Sequence, residues 1–343
     1  MAASAGREDF YRRLDSRNLK PLWEVLRGQL TAEPNPPETT VLWRYEKIRP
    51  FLLEAARLIS VEEADRRVLV LENPGLAGRT RATQSLYAGL QIIMPGEIAP
   101  CHRHTPTALR LMVEGEGAYT TVDGERTSMK PGDFVITRSW SWQDHGNEGR
   151  SPVVWLDGLD IPLVGFLNAT FFEQFGEAAY PLSRPDSDSE ARYASGILPI
   201  DCVPAAAGSP LLNYPYVRTR AALEALARAG DDDPCHGVKT RYINPLSGDY
   251  AIPTMGVFVQ MFRRGFRGSL YRSTDSTIYQ VIEGRGQTLV DDEVLEWSIH
   301  DVFVVPSWKW HRHEADSDSV LFSFSDRPVQ QKLGLWREQR GGS

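Results

Sequence analysis

Two histidines separated by one residue, His102 and His104, are the clearest candidates for chemistry in this 343-residue sequence. On a β-strand, residues i and i+2 point to the same face, so the two imidazoles converge while Cys101 and Arg103 point away. Two neighbouring imidazoles are costly to bury without a metal ion or a charged partner. The motif therefore indicates a metal site; the simpler alternative is a surface-exposed pair on an edge strand.

A second polar group follows at Gln143 and His145, which again occupy positions i and i+2. Either side chain could reach a metal, Gln143 through its neutral amide oxygen and His145 through imidazole, the stronger donor to iron. Arg110 follows the same alternation as Ala108 and His104, and a guanidinium suits a bidentate contact with a carboxylate. Together these residues predict a metal site that takes an anionic ligand.

Short β-strands must position these residues. From about Arg67 the sequence consists of β-type runs separated by Gly- and Pro-containing turns, such as VLVLE at 68–72, LQIIM at 90–94, AYTTV at 118–122 and FVIT at 134–137. Many short strands with regular turns favour a jelly-roll barrel. The first eighty residues are predicted to be helical, since apolar residues recur there at helical spacing.

The β pattern is interrupted between about Pro181 and Asn244. PLSRPDSDS at 181–189 has the composition of an exposed linker, and AALEALARAG at 221–230 predicts a short helix that ends at a glycine. β-type runs then return, at 257–262, 278–284, 288–292 and 302–305.

The two β regions are related to each other. VEGEG at 113–117 corresponds to IEGRG at 282–286, and SWSWQDH at 139–145 corresponds to SWKWHRH at 307–313, at nearly the same offset. Shared motifs in the same order at one offset indicate two copies of a single β domain.

The second copy lacks the histidine pair of the first. The offset places Tyr271 and Ser273 at those positions, although His311 and His313 remain. We therefore predict a barrel that has lost its metal. The predicted segments are a helical N-terminal arm, a metal-binding barrel, a linker with a short helix, and a metal-free barrel, at 1–80, 81–180, 181–245 and 246–343.

A glycine, five residues, HxH, a glycine-containing turn and a Pro-Gly-Asp turn together resemble the cupin pattern. The chain resembles a bicupin, and more closely the gentisate/salicylate 1,2-dioxygenase family. The segments that carry this resemblance are RRVLVLENPGL at 66–76, APCHRHTPTALRLMVEGEGAYTTVDGER at 99–126, WQDHGN at 142–147 and WLDGLDIPL at 155–163.

The resemblance implies a mainly β fold of two jelly-roll barrels and an Fe(II) dioxygenase. Such an enzyme opens an ortho-hydroxybenzoate between the carboxyl-bearing and hydroxyl-bearing carbons and incorporates both atoms of O2. Gentisate is the usual substrate of the family, but Gln143 and Pro106 depart from the gentisate pattern and favour a 5-substituted salicylate such as 5-nitrosalicylate. The resemblance also implies a homotetramer, to which the helical arm could contribute contacts.

The resemblance assigns roles to individual residues. The family segment usually reads WHDHGN, whose first histidine is the third iron ligand and whose second contacts the substrate. Carried over, this puts Gln143 on iron with His102 and His104, and His145 on the substrate. The cupin spacing, eleven residues after Gly132, also reaches position 143, whereas donor strength favours His145 as the ligand.

The remaining implied contacts are to the substrate. Arg110 is assigned to its carboxylate and, with His145, to catalysis. The other implied substrate contacts are Gln91, Asp157 and Arg66, and either Arg66 or the adjacent Arg67 could face the pocket. For Asp157 and Arg66 a structural ion pair is the alternative.

Generic cupins also place a glutamate ligand four or five residues after HxH, where this sequence has Ala108 and Leu109. Without that carboxylate, Fe(II) keeps neutral protein ligands and its full charge. Such a site favours an anionic chelating substrate and leaves positions open for it and for O2.

Composition excludes several other functions. The net charge of −7 argues against a broad nucleic-acid-binding face. No apolar run approaches the length of a membrane helix. Three widely spaced cysteines favour a reducing cytoplasm. Two alternatives stay open: a non-catalytic bicupin that binds an aromatic acid, and a zinc cupin isomerase, which the missing carboxylate ligand disfavours.

Overall fold

The structure, a computed structural model, describes residues 2–202 and 208–341. The described chain forms two compact units that divide after Asn35. The first unit holds two helices, α1 (Ala2–Asp15) and α2 (Leu22–Gln29). Within the described ranges, no helix combines the length and apolar character needed to cross a bilayer.

The second unit opens with short elements that lead into the barrels. They are β1 (Val41–Trp43), α3 (Tyr45–Leu58), α4 (Val61–Ala64) and β2 (Val68–Val70), followed by a 3₁₀ turn at Pro74–Leu76. The apolar stripe of α3 buries Leu52 and packs Ile48 against the main core. The segment predicted as a helical arm therefore also contains two strands. β2 lies within the β-type run predicted at 68–72, whereas β1, with three residues, is too short for a period-2 pattern to be visible in the sequence.

Eight strands form most of the first barrel. They are β3 (Tyr87–Ile93), β4 (Ile98–His104), β5 (Ala108–Glu114), β6 (Ala118–Val122), β7 (Glu125–Met129), β8 (Phe134–Thr137), β9 (Gln143–Asn147) and β10 (Val153–Leu159). Buried residues fill nearly every position of β3, β5 and β10, because one sheet face packs inside the barrel and the other against the second barrel.

The connecting segment adds two further strands to this barrel. Its elements are α5 (Ile161–Phe166), β11 (Phe172–Gln174), α6 (Asp188–Tyr193), β12 (Asn213–Tyr214) and α7 (Tyr216–Ala229). The two sheets run in the orders β12-β8-β5-β10-β3-β2 and β11-β4-β9-β6-β7. The helix predicted at 221–230 begins earlier, at Tyr216, and ends at Gly230, whose φ of +84° suits a glycine cap.

The second barrel repeats this plan. Its elements are β13 (Val238–Arg241), β14 (Gly256–Phe262), β15 (Tyr271–Ser273), β16 (Thr277–Glu283), β17 (Arg285–Val290), β18 (Glu293–Ser298), β19 (Val302–Val305), β20 (His311–Ala315), β21 (Ser319–Ser325), α8 (Arg327–Lys332) and β22 (Glu338–Arg340). The sheets run β1-β19-β16-β21-β14-β13 and β18-β17-β20-β15-β22.

The largest apolar cluster lies between the two six-stranded sheets, one from each barrel. It joins residues such as Leu109 and Leu156 of the first barrel to Phe322 and Phe324 of the second. At Gly158 a Cβ would lie 2.7 Å from the Phe324 ring, so a side chain there would force the two sheets apart.

Strand pairing agrees with the internal repeat. His102 lies opposite Gln143 between β4 and β9, and Tyr271 lies opposite His311 between β15 and β20. The His102–Gln143 pair of the first barrel and the Tyr271–His311 pair of the second therefore occupy equivalent places in the strand register, although their side chains differ. Because register fixes which side chains face inward, the two barrel interiors can be compared residue by residue.

Candidate active site

His102 and His104 project from β4 into the first barrel, with ring centroids 5.2 Å apart. Nδ1 of His104 donates to the Pro106 carbonyl at 2.7 Å, which leaves a lone pair on Nε2. Burial above all, then the Arg66 guanidinium, lowers the pKa of His102 to about 2, and burial lowers the pKa of His104 to about 4. Both imidazoles are neutral at pH 7, which is the state that binds a metal.

Gln143 lies fully buried on β9, facing the histidine pair. Its Nε2 lies 2.8 Å from Nε2 of His104 and 3.5 Å from Nε2 of His102. Its Oε1 accepts a hydrogen bond of 2.8 Å from Nη2 of Arg110. One amide therefore contacts both the predicted metal-binding histidines and the predicted substrate arginine.

His145 is also fully buried, two residues along the same strand. The Thr120 hydroxyl donates to the Asp144 carbonyl at 3.2 Å and lies 2.7 Å from Nδ1 of His145. Nδ1 must therefore carry the ring hydrogen, and Nε2 keeps a lone pair that has no partner among the described residues. Burial, followed by the Arg110 guanidinium, lowers the pKa of His145, so the ring is neutral.

Arg110 is anchored on three sides. Its Nε lies 3.3 Å from Oδ1 of Asp157, its Nη1 donates to the Thr137 hydroxyl at 2.7 Å, and its Nη2 donates to Gln143. A guanidinium has five N–H groups, so one hydrogen on each Nη remains available to a ligand. Burial raises the pKa of Asp157 to about 6, against the opposing effect of Arg110, and Trp155 Nε1 donates to the same carboxylate at 3.0 Å.

Arg66, and not Arg67, faces the histidines. Nη2 of Arg66 donates to the Pro100 carbonyl at 2.7 Å and to Nδ1 of His102 at 2.8 Å. Arg67 instead forms an ion pair with Glu97 and donates to backbone carbonyls of α3 and its C-terminal end. With Arg66 on Nδ1, the hydrogen of His102 lies on Nε2, so metal binding through Nε2 requires Arg66 to release Nδ1.

Gln91 lies on β3, with Trp155 of β10 on one side and Val68 of β2 on the other. Its side chain is buried, and its Nε2 donor has no partner in the described part of the chain. The structure thus brings the sequence-predicted residues to the interior of one barrel. They are His102, His104, Gln143, His145, Arg110, Asp157, Arg66 and Gln91.

The comparisons with known proteins decide the family. The profile described as "Cupin domain" matches residues 89–159. The chain is 52% identical to "Gentisate 1,2 dioxygenase 1" of Aquipseudomonas alcaligenes, over 99% of this chain and 98% of that protein. The chain belongs to the gentisate/salicylate 1,2-dioxygenase family. The dioxygenase is also 36% identical to a "5-aminosalicylate 1,2-dioxygenase" of Comamonas sp, over 94% of this chain and 87% of that one.

A solved structure agrees with this assignment. Salicylate 1,2-dioxygenase of Pseudoaminobacter salicylatoxidans, in an adduct with gentisate, superposes on the dioxygenase with a TM-score of 0.94 at 30% identity. The match covers 98% of this chain and 94% of that one. The predicted bicupin fold and the predicted ring-cleaving 1,2-dioxygenase activity of the gentisate/salicylate type are confirmed.

Two residues of the dioxygenase site escaped sequence reasoning. Thr137 holds Arg110, and Thr120 fixes the tautomer of His145. For Thr120 a signal existed, because Thr288 stands at the equivalent place in the second copy and contacts His313 at 2.8 Å. For Thr137 no such signal was available, since a threonine within a β-type run is ordinary.

The donor set of the dioxygenase fits a divalent metal. Within the described residues, no group of three His, Cys, Asp or Glu side chains is arranged for a metal, because the cluster combines two histidines with an amide. Nε2 of His104 and Nε2 of His145 carry lone pairs. The Gln143 oxygen has a second lone pair beyond the one bound by Arg110, but the amide turns Nε2 toward the histidines, so coordination through Oε1 requires the amide to reorient. All of these donors are neutral, so a bound cation would keep its charge for an anionic ligand.

Proposed function

We propose that this dioxygenase holds Fe(II) with His102, His104 and Gln143 and opens gentisate between its carboxyl-bearing and hydroxyl-bearing carbons. The observation that carries the proposal is that two neutral histidines, the Gln143 amide and two guanidiniums meet in one buried site. The full-length relative named for gentisate supports the substrate. Iron, when bound, would supply the electron transfer between the aromatic acid and O2.

The charges of the site favour an anionic substrate. Arg66 and Arg110 bring two positive charges, and Asp157 brings one negative charge. Asp65 and Asp144 act on Arg66 from a distance, but no carboxylate in the described ranges forms an ion pair with it, so its guanidinium stays available to an anion in surroundings where burial strengthens electrostatic attraction. Arg110 would receive the substrate carboxylate on its two free Nη hydrogens, and Asp157 would keep the guanidinium plane in position.

His145 is suited to accept the proton of the substrate hydroxyl. Its Nδ1 hydrogen is committed to Thr120, so Nε2 is the only ring nitrogen that can take a proton. Burial and two guanidiniums hold its pKa well below the ordinary range, which keeps the ring unprotonated before the substrate arrives. The buried Gln91 amide offers a further donor to the substrate.

A 5-substituted salicylate is the second candidate substrate. The relative named for 5-aminosalicylate matches nearly the whole chain, whereas the one named for 5-nitrosalicylic acid matches only 32% of it. Oxygen-electrode assays of the iron-loaded protein with gentisate, salicylate, 5-aminosalicylate and 5-nitrosalicylate test the proposal. We expect the highest kcat/KM for gentisate; a higher value for either substituted salicylate would reassign the substrate.

We also infer a homo-oligomer, a tetramer by family resemblance, that works in the cytoplasm. The short helix α2 exposes Leu22, Trp23 and Leu26, a set of large apolar side chains suited to a subunit contact. Light scattering coupled to gel filtration tests the number of subunits. If α2 supplies a contact, Trp23→Glu should lower the measured mass.

A further inference from the structure

The second barrel repeats the polar positions of the first at the same register. β14 lies between β21 and β13 as β3 lies between β10 and β2, and β16 pairs with β21 as β5 pairs with β10. Inward residues of the active site therefore have counterparts in the second barrel. The pairs are Gln91 and Gln260, Arg110 and Tyr279, Gln143 and His311, His145 and His313, and Asp157 and Ser323.

Several of these counterparts are buried polar groups that lack a protein partner. Both amide atoms of Gln260, the hydroxyl of Ser323, and Nε2 of His311 and of His313 have none among the described residues. All four side chains are more than nine-tenths buried. Buried polar groups in native proteins are almost always hydrogen-bonded, so a group of five such atoms inside one barrel indicates a bound polar molecule. We call this group, together with Lys239, the second chamber.

Lys239 gives the second chamber a positive charge. It lies on β13 directly across from Gln260, where the first barrel has Val68 opposite Gln91. Its ammonium lies 5.2 Å from the centre of the Phe258 ring, and no carboxylate in the described ranges forms an ion pair with it. Burial, followed by the Arg327 guanidinium, lowers the pKa of Lys239 to about 7.

The neighbouring charges do not neutralise Lys239. Asp275 is fully engaged, because one oxygen accepts from Arg327 at 3.1 Å and from Ser325 at 2.6 Å, and the other accepts from Trp336 at 2.9 Å. Asp233 and Glu338 also act on Lys239 electrostatically, but Asp233 is paired with Arg340, Asp275 is paired with Arg327, and no carboxylate in the described ranges forms an ion pair with Lys239. Desolvation without an ion-pair partner disfavours the charged form of Lys239, and an anion bound beside the amine would stabilise that form.

The charge of the second chamber favours an anion over a metal cation as the occupant, because a protonated Lys239 beside the histidines would repel a cation. An anion, in contrast, meets donors from Lys239, Gln260 and Ser323. Nε2 of His311 keeps a lone pair, since its Nδ1 donates to the Lys309 carbonyl at 3.2 Å, and can accept from a hydroxyl or water beside the anion.

We propose that the second barrel binds a small carboxylate in this chamber, with the carboxylate on Lys239 and the Gln260 amide. The site is metal-free and separate from the active site, since it lies inside the other barrel. The position of this site follows from the internal repeat. In the first barrel Arg66, Arg110 and iron would attract an anion, and in the second barrel a single lysine would do so.

Calorimetric titration of the iron-loaded enzyme under anaerobic conditions tests this proposal, with acetate, glycolate and benzoate as probes. The titrations are run with and without saturating gentisate, so that binding in the first barrel is counted separately. We expect one carboxylate per chain whose binding persists with gentisate present. Lys239→Met and Gln260→Leu should each weaken that binding at least tenfold, because each removes a buried hydrogen bond to an anion.

Lys309→Met is the matched control, since Lys309 is an exposed lysine paired with Asp291, and it should bind the probes as the wild type does. A crystal structure of the complex should place the carboxylate within hydrogen-bond distance of Nζ of Lys239. The proposal is overturned if none of the three probes binds saturably in the presence of gentisate. It is also overturned if Lys239→Met binds them normally, or if crystals soaked with the probes hold only water in the second chamber.

Discussion

The amide oxygen of Gln143 accepts a hydrogen bond from Nη2 of Arg110 at 2.8 Å, deep inside the first barrel. The residue proposed to hold iron and the residue proposed to hold the substrate carboxylate are therefore joined directly. In this arrangement the amide turns Nε2 toward His102 and His104, so iron binding through Oε1 would require the amide to reorient against the Arg110 contact. The contact would thereby couple metal binding to substrate binding.

Substitutions of Gln143 and His145 should separate the two possible third ligands. If Gln143 is the ligand, Gln143→Ala should lose iron, and Gln143→His should retain or tighten it because imidazole is the stronger donor. His145→Ala should keep iron and lose turnover. Iron content after anaerobic loading is the measurement; loss of iron in His145→Ala with retention in Gln143→Ala would make His145 the ligand.

Arg110→Ala should weaken catalysis more than it disturbs iron. A charge-assisted contact in a sheltered site contributes about 2–3 kcal/mol, so kcat/KM should fall about 30- to 150-fold. Arg49→Ala removes an arginine whose ion pair with Glu114 is partly exposed, and should change kcat/KM little. An Arg110→Ala enzyme with wild-type KM and kcat would show that the carboxylate binds elsewhere.

The role of Thr120 can be tested by Thr120→Val, which removes the acceptor for Nδ1 of His145 while keeping the shape. Without that acceptor the ring can adopt either tautomer, so kcat should fall about 3- to 10-fold, the effect of one net hydrogen bond. Iron content should not change. Thr288→Val makes the same change beside His313 in the second barrel and should leave kcat near the wild-type value.

Burial raises the pKa of Asp157 to about 6, so the pH profile of kcat/KM should show the titration of this carboxyl group. As pH falls through 6 the carboxylate gains a proton and releases Arg110, so kcat/KM should fall on the acid side with a midpoint near 6. His102 and His104 titrate lower, near 2 and 4, and do not account for such a midpoint. Asp157→Asn should lower the plateau of kcat/KM and remove this midpoint; an unchanged profile would assign the titration to another group.

The sequence predicted the architecture because the evidence for it was periodic. The W-x-W-x-x-H repeat indicated two barrels and the HxH pair predicts a metal site in the first, and strand alternation correctly turned Gln143 and His145 inward. The sequence could not predict side-chain contacts, because strand alternation shows which face of a sheet a residue occupies but not which atoms are in contact. The choice between Arg66 and Arg67, and the Gln143–Arg110 contact, therefore needed coordinates.

Other features lacked a visible pattern. β1 is only three residues long, so the sequence predicts no strand there, whereas β2 lies within the β-type run that the sequence predicts at 68–72. Lys239 and Gln260 belong to no motif, and only the barrel register brings them opposite each other. Gln260 stands 169 residues after Gln91, which is the same offset that separates the two glycine-rich turns. The internal repeat alone therefore identifies Gln260 as the counterpart of Gln91.

Metal stoichiometry should reflect the difference between the barrels. Tyr271 and Ser273 on β15 replace the histidine pair of β4, and the two histidines of the second barrel, His311 and His313, lie on β20 instead. We expect one tightly bound iron per chain after anaerobic purification, measured by elemental analysis. Two equivalents would contradict both the metal-free second barrel and the carboxylate proposed to bind there.

Isotope labelling of the product tests the central claim most directly. Iron-loaded enzyme is given gentisate under ¹⁸O2, and the ring-opened product is analysed by mass spectrometry. A dioxygenase that cleaves between the carboxyl-bearing and hydroxyl-bearing carbons adds both oxygen atoms, so we predict two heavy oxygens in each product molecule before exchange with water. Gentisate that binds without O2 consumption, or a product that contains one heavy oxygen or none, would contradict the account.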